Sequence, residues 1–293
     1  MDVLTLNPVA AGLNNQRYAL LGLFEIARAR GAAVRLPTQV VDFTPQAGSN
    51  RHVLMPIWDA FDRGGFLRAI LGSKTTKKAV SETLDAKAAF DVGAHAIHNA
   101  QRGDFAEAFI GEGVRAAAPL RATADEAAAF LAEKRAATLQ LRIERDWQVY
   151  LRKRLGAVEA RTAQGHVTVD PLTILRKVRA TPALARFEAV FACCDEDDLA
   201  VSKEAIKEAG AVAGVEVLLK PDLPVAYPAS RLKRSLIDFE ICRAAPAYVG
   251  LAASTFSRSL RYLARAEGRL ATQFRYDAGI DQCAPFAEHV DAQ

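Results

Sequence analysis

Short apolar runs alternate with helix-length amphipathic stretches along most of this chain, and that alternation limits the fold more than any other feature. Residues 2–6 are a short apolar run, and Leu20, Leu21, Leu23, Phe24, Ile26 and Ala27 then share one helical face within 18–30. Gly31 stands where a helix C-cap is expected, and 34–36 is apolar again. The second half repeats the pattern. Strands are expected at 187–194, 215–219 and 247–250, with a short extended piece at 167–169. Helices are expected over 147–155, 171–179, 199–209, 230–244 and 254–267, and a loop carrying Pro221, Pro224 and Pro228 precedes the fourth of these. Strand-helix-strand units in this order predict parallel sheets with helices on their faces.

A chain of 293 residues has room for two domains of this kind. Residues 73–135 are helix-prone, and 124–137 reads as one long amphipathic helix with Thr123 as its N-cap. That helix runs straight into an apolar stretch at Leu139. The boundary is therefore expected near 137, giving an N-terminal Rossmann-like domain over 1–137 and a C-terminal one over 138–293. The net charge of +4 is small for this length and lacks the clustered Lys/Arg of a nucleic-acid surface. The four cysteines, Cys193, Cys194, Cys242 and Cys283, show neither a CxxC pair nor a disulfide framework, and the adjacent pair reads as buried apolar residues. No run of 18 apolar residues offers a membrane span, and the first residues do not read as a signal peptide. A cytoplasmic location is expected.

Three stretches carry chemistry. Gly12-Leu13-Asn14-Asn15-Gln16-Arg17 puts amides and a guanidinium where a helix begins, a place that favours anionic oxygens. It is not a GxGxxG pattern, so a nicotinamide cofactor is not indicated. Leu139-Gln140-Leu141-Arg142-Ile143-Glu144-Arg145-Asp146-Trp147 alternates like a short strand, with Gln140, Arg142 and Glu144 on one face. Finally, Asp238 lies on a predicted helix, and Tyr248-Val249-Gly250-Leu251-Ala252-Ala253-Ser254-Thr255-Phe256-Ser257 reads as strand, small-residue turn and hydroxyl-rich helix start, a phosphate cradle. The run Asp195-Glu196-Asp197-Asp198 is read as an acidic helix start rather than a metal site. His52, His95, His98, His166 and His289 form no HExxH or triad pattern, so no metal ligands are expected.

Together the three stretches resemble the GDP-fucose protein O-fucosyltransferases: their glycine/asparagine loop, their H-x-R-x-x-x-D-W strand and their D…S-S-F-(S/T) nucleotide-binding segment, in the same order. The resemblance implies an α/β GT-B fold, two Rossmann-like domains facing across a cleft. It implies a metal-independent inverting glycosyltransferase with GDP-fucose as donor substrate and no cofactor. The acceptor would be a hydroxyl of a protein, a glycan or a small molecule. By position, Arg142 and Asn15 match the residues that hold the donor diphosphate, and Arg142 the one essential to transfer. Gly12, Asn14, Gln140, Asp146, Asp238, Ser254, Thr255 and Phe256 match donor-binding positions, Asp238 that of a nucleoside contact. Two positions depart from the pattern: Gln140 stands where histidine is usual and Leu251 where asparagine is common. The acceptor proton would pass to the departing phosphate or to a carboxylate such as Glu25, Asp42 or Glu144. Two alternatives stay open, a non-catalytic nucleotide-sugar or carbohydrate-binding protein of this fold and a GT-B enzyme with another donor.

Overall fold

Each half of the alternating pattern closes around its own parallel sheet. The computed structural model describes residues 2–46, 49–71, 80–81, 89–93, 104–162 and 165–286. Its contacts divide the chain into two units, Met1–Ala122 with Pro228–Ile237, and Thr123–Tyr227 with Asp238–Gln293.

The first unit runs β1 (Val3–Thr5), α1 (Leu13–Arg30), β2 (Ala33–Arg35), β3 (Gln39–Gln46), β4 (Ser49–Pro56), α2 (Ile57–Ala60), α3 (Arg63–Leu71), β5 (Val80–Ser81), β6 (Ala89–Asp91) and α4 (Asp104–Ala108), with a π-helical turn at Phe109–Gly113. Four strands pair in parallel in the order β5-β2-β1-β6, while β3 and β4 form a separate antiparallel hairpin. Helix α1 ends as its sequence predicts: Gly31 takes φ 60° and its amide reaches the carbonyls of Ala27 and Arg28. Phe24, Phe66 and Phe109 meet edge-on or tilted at centroid separations of 5.4 to 5.9 Å, fastening α1 to α3 and the π turn.

Helix α5 (Ala118–Glu133) starts in the first unit and carries the chain into the second. There follow β7 (Ala136–Gln140), α6 (Arg145–Leu155), β8 (Ala160–Thr162), β9 (Gly165–Val167), α7 (Pro171–Ala180), β10 (Ala189–Cys193), α8 (Lys203–Ala213), β11 (Glu216–Leu218), α9 (Arg231–Ala244), β12 (Tyr248–Gly250), α10 (Thr255–Ala266), β13 (Gln273–Arg275) and β14 (Ala284–Pro285). The sheet order is β11-β10-β7-β12-β13-β14, parallel throughout except for β14. The chain thus lays its first strand, β7, in the centre, builds outward on one side, then crosses back to the other. The reversal falls between β7 and β12. In open α/β sheets that switch point, at the carboxyl ends of the strands, is where ligands bind. The first unit is wound the same way, with its reversal between β1 and β6.

Several sequence expectations are corrected. The helix expected over 124–137 begins earlier and ends at Glu133, so Thr123 lies inside α5 instead of capping it. Pro119 falls in the first turn of α5, where its missing N–H costs no helical bond. The strand expected from Leu139 onward starts at Ala136 and stops at Gln140, with all five residues buried between β10 and β12. Asp195-Glu196-Asp197-Asp198 does not open a helix: it forms a turn, and α8 begins at Lys203 behind Ser202, whose hydroxyl accepts the Ala205 amide. The hairpins β3–β4 and β8–β9, and strands β13 and β14, were not foreseen. The expected boundary at 137 lies within β7, whereas the contact division falls at 122 and groups Pro228–Ile237 with the first unit. All four cysteines are buried free thiols. His95, His98, Gly103 and His289, with most of 72–103, lie outside the described residues. Among the described residues no helix is long and apolar enough to cross a membrane.

Candidate functional site

At the second unit's switch point, Gln140 ends β7 and a turn from Gly250 to Ser254 leads from β12 into α10. The two are tied together. Gln140 Nε2 donates to Ser254 Oγ at 3.0 Å, while its Oε1 accepts from Ser257 Oγ at 2.8 Å and from the Tyr248 hydroxyl at 3.2 Å. The Tyr248 and Ser257 hydroxyl oxygens lie 2.8 Å apart, so their two hydrogens are shared among three contacts, and the Leu251 amide donates to Ser257 Oγ. The network is largely buried and fixes the start of α10 against the central strand. Gly250 is required there: a Cβ would lie 2.3 Å from Ser257 Oγ and 2.4 Å from the Tyr248 hydroxyl. Ser254 is the N-cap of α10, accepting the Phe256 amide at 3.2 Å. Thr255 and Phe256 are half-buried, and Phe256 meets Phe239 edge-on at 5.2 Å.

Just beyond β7, the chain lifts Arg142 off the sheet. Its guanidinium lies 3.4 Å from Glu144 Oε1 and 3.4 Å from Asp146 Oδ2, and 5.2 Å from the centroid of the Trp147 ring. Burial works against its charge, yet Glu144 and Asp146 hold it above its usual range, so it stays a cation. Asp146 is exposed in the first turn of α6, and its amide donates to Asp198 Oδ2 at 3.1 Å. Glu144 is buried and bridges to Leu199, and its Oε1 accepts the Asp195 amide at 3.1 Å. On the side of β13, the buried Tyr276 hydroxyl lies against the Arg142 main-chain N–H without reaching full hydrogen-bond geometry. The Tyr276 amide donates to the Gly250 carbonyl at 3.1 Å, so the Arg142 stretch and the β12–α10 turn share this neighbour. Tyr276 was not singled out from the sequence, and Gly250 only as part of the 248–257 stretch.

Asp238 sits apart from these contacts, inside the unit. Its carboxylate pairs with Lys220 Nζ at 2.9 Å and accepts from the Tyr227 hydroxyl at 3.1 Å, and Lys220 Nζ also donates to the Cys194 carbonyl. Burial opposes charging Lys220, but Asp238 more than offsets it and keeps the ammonium protonated. Both Asp238 oxygens are therefore engaged within the fold. The nearby acidic run is likewise dispersed, with Glu196 taking the Lys220 amide and pairing with Lys203, and Asp198 taking the Asp146 amide.

In the first unit, Asn7 and Asp91 close the switch point. The Asn7 amide and Nδ2 donate to the two Asp91 oxygens at 3.0 and 2.9 Å. Gly12 is the N-cap of α1, and a Cβ there would meet nothing within 4 Å. The polar side chains after it divide sharply. Asn14 is buried and accepts from Arg17, and Gln16 is bound to the Val41 main chain by both its amide groups. Asn15 is half-buried, and among the described residues its side chain has no hydrogen-bond partner.

These two sheets, each wound outward from a central first strand, define an α/β protein of GT-B class. No family model matches the sequence, and no curated protein does. Among solved structures, POFUT1 in complex with GDP aligns over 89% of this chain and 94% of its own, with TM-score 0.59 at 13% identity. POFUT1 in complex with GDP-fucose aligns over 89% and 94%, with TM-score 0.57 at 14% identity. At such identity the likeness establishes the shared fold.

Proposed function

We propose that this chain is a glycosyltransferase that moves fucose from GDP-fucose to a hydroxyl acceptor with inversion and without a metal. The observation that carries the reading is Arg142, an always-charged guanidinium set just beyond the carboxyl end of a central strand, in a chain similar to solved structures that hold GDP or GDP-fucose. Cleaving a sugar–diphosphate bond builds negative charge on the leaving group. A guanidinium and the free amides of a helix start can stabilise that charge. Arg142 and the start of α10 at Thr255 supply these groups in the second unit, with Gln140 holding the helix start in place and the Phe256 amide spent on Ser254 Oγ. Asn15 is the first unit's candidate for a further donor contact. The departing phosphate accepts the acceptor proton. Supporting this, Glu25 is buried in a pair with Arg28 at 2.5 Å, Asp42 is buried taking the Leu232 amide at 2.9 Å, and Glu144 is sealed behind Arg142.

Arg142→Ala is expected to lower GDP release from GDP-fucose, with or without acceptor, by at least about a hundredfold. Circular dichroism should still report a folded chain, with some loss in melting temperature because Glu144 loses its partner. Near-normal turnover by that variant overturns the reading. One observation favours binding without turnover as the second reading: Asp238 and Gln140 spend their polar atoms inside the fold. GDP binding by calorimetry with no turnover for any acceptor would select it.

A further inference from the structure

Glu144 is a charged group that the transfer itself leaves idle. It is 2% exposed, too enclosed to touch an acceptor. One oxygen takes the Asp195 amide and faces Arg142; the other, Oε2, is buried with no hydrogen-bond partner. Buried carboxylates normally fill both oxygens, so a half-satisfied one is out of the ordinary. Its surroundings come from several elements. Arg142 and Asp146 belong to its own stretch, Lys220 follows β11, Cys194 follows β10 and Tyr276 follows β13. Of these only Arg142 pairs with it directly, at 3.4 Å, and Arg142 is shared with Asp146. Burial pushes the Glu144 carboxyl up to about 6 against the pull of that guanidinium.

A diphosphate on Arg142 upsets this balance. It draws on the same guanidinium and sets new negative charge beside a carboxylate that already lacks a partner for one oxygen. We propose that Glu144 is a positioning residue for Arg142, holding the guanidinium while the site is empty, and that it takes up one proton from solvent when a sugar nucleotide diphosphate binds. The inference rests on the reading of Arg142 as the diphosphate ligand. The proton comes from water or buffer, converts the carboxylate to the carboxylic acid and leaves with the product diphosphate.

GDP-fucose is the suitable probe, because both its phosphates stay fully ionised across the working range, whereas the terminal phosphate of GDP titrates within it. Its binding is to be measured by calorimetry from pH 5.5 to 8.5, in pairs of buffers with different ionisation enthalpies. In the unaltered protein, affinity is expected to fall by up to about tenfold per pH unit above about pH 6, the slope for one linked proton. The buffer-dependent heat should report uptake approaching one proton near pH 7. In Glu144→Gln the affinity is expected to change less than threefold over the range, and the uptake to vanish. Equal pH dependence in the two proteins, or binding by the unaltered protein without proton uptake at pH 7, overturns the inference and leaves the donor reading standing. Failure of both proteins to bind GDP-fucose overturns the donor reading and this inference together.

Discussion

At Glu144 a single side chain links stability to pH. Its carboxyl is raised from 4.5 to about 6 in the folded chain, chiefly by burial, so the fold binds that proton more tightly than the unfolded chain does. The resulting stability is fully present below pH 4.5 and is lost as pH rises through 6, a difference of about 2 kcal/mol for a change of this size. Glu144→Gln keeps the shape and removes the titration. Urea unfolding at pH 4.5, 6 and 7.5 should therefore show the variant gaining on the unaltered protein as pH rises, with the gap levelling off above pH 7. A gap that stays constant with pH would place the effect elsewhere. A carboxylate near Arg142 was plain in the sequence. That one of its oxygens would be shut in without a partner was not, because the Asp195 and Leu199 contacts that enclose it arrive some fifty residues later.

Among the elements, β12 and α10 depend on one another through Gly250. Gly250→Ala must push Ser257 and Tyr248 apart, at a cost of about 2 kcal/mol. Denaturant unfolding measures the loss, and adding Ser257→Ala should recover part of it in a double-mutant cycle. The elements readable from sequence were those with strong periodicity or recognisable ends, such as α1 with Gly31 and α7, expected over 171–179 and found at Pro171–Ala180. Strand β7 was misplaced because Ala136 and Ala137 continue a helical pattern and carry no strand signal of their own; sheet neighbours make them a strand. Strands β13 and β14 are three and two residues long and owe their existence to register, Tyr248 against Gln273 and Phe274 against Pro285. In the site, Arg142, Gln140 and Ser254 were legible as parts of a pattern. The buried network was not, since Tyr248 and Gln140 meet across 108 positions of chain.

Taken whole, the chain builds the same winding twice and closes each reversal with a side chain, Asn7 to Asp91 in one unit and Gln140 to Ser254 in the other. The first unit is discontinuous: Pro228–Ile237 belongs to it, and Asp42 accepts the Leu232 amide from that segment at 2.9 Å. A fragment ending at residue 137 lacks the segment. It is expected to melt broadly, at least about 5 °C below a chain in which residues 1–122 are joined by a short linker to 228–244, as followed by circular dichroism. Identical melts would show that the segment adds nothing. The same discontinuity imposes an order on synthesis. The main body of the first unit leaves the ribosome about 100 residues before the segment that completes it, a wait on the order of ten seconds at ordinary elongation rates. The first unit is therefore completed only after much of the second has been made. It must stay unfinished, and open to chaperones, until β7, β10 and β11, half the strands of the other sheet, have been translated.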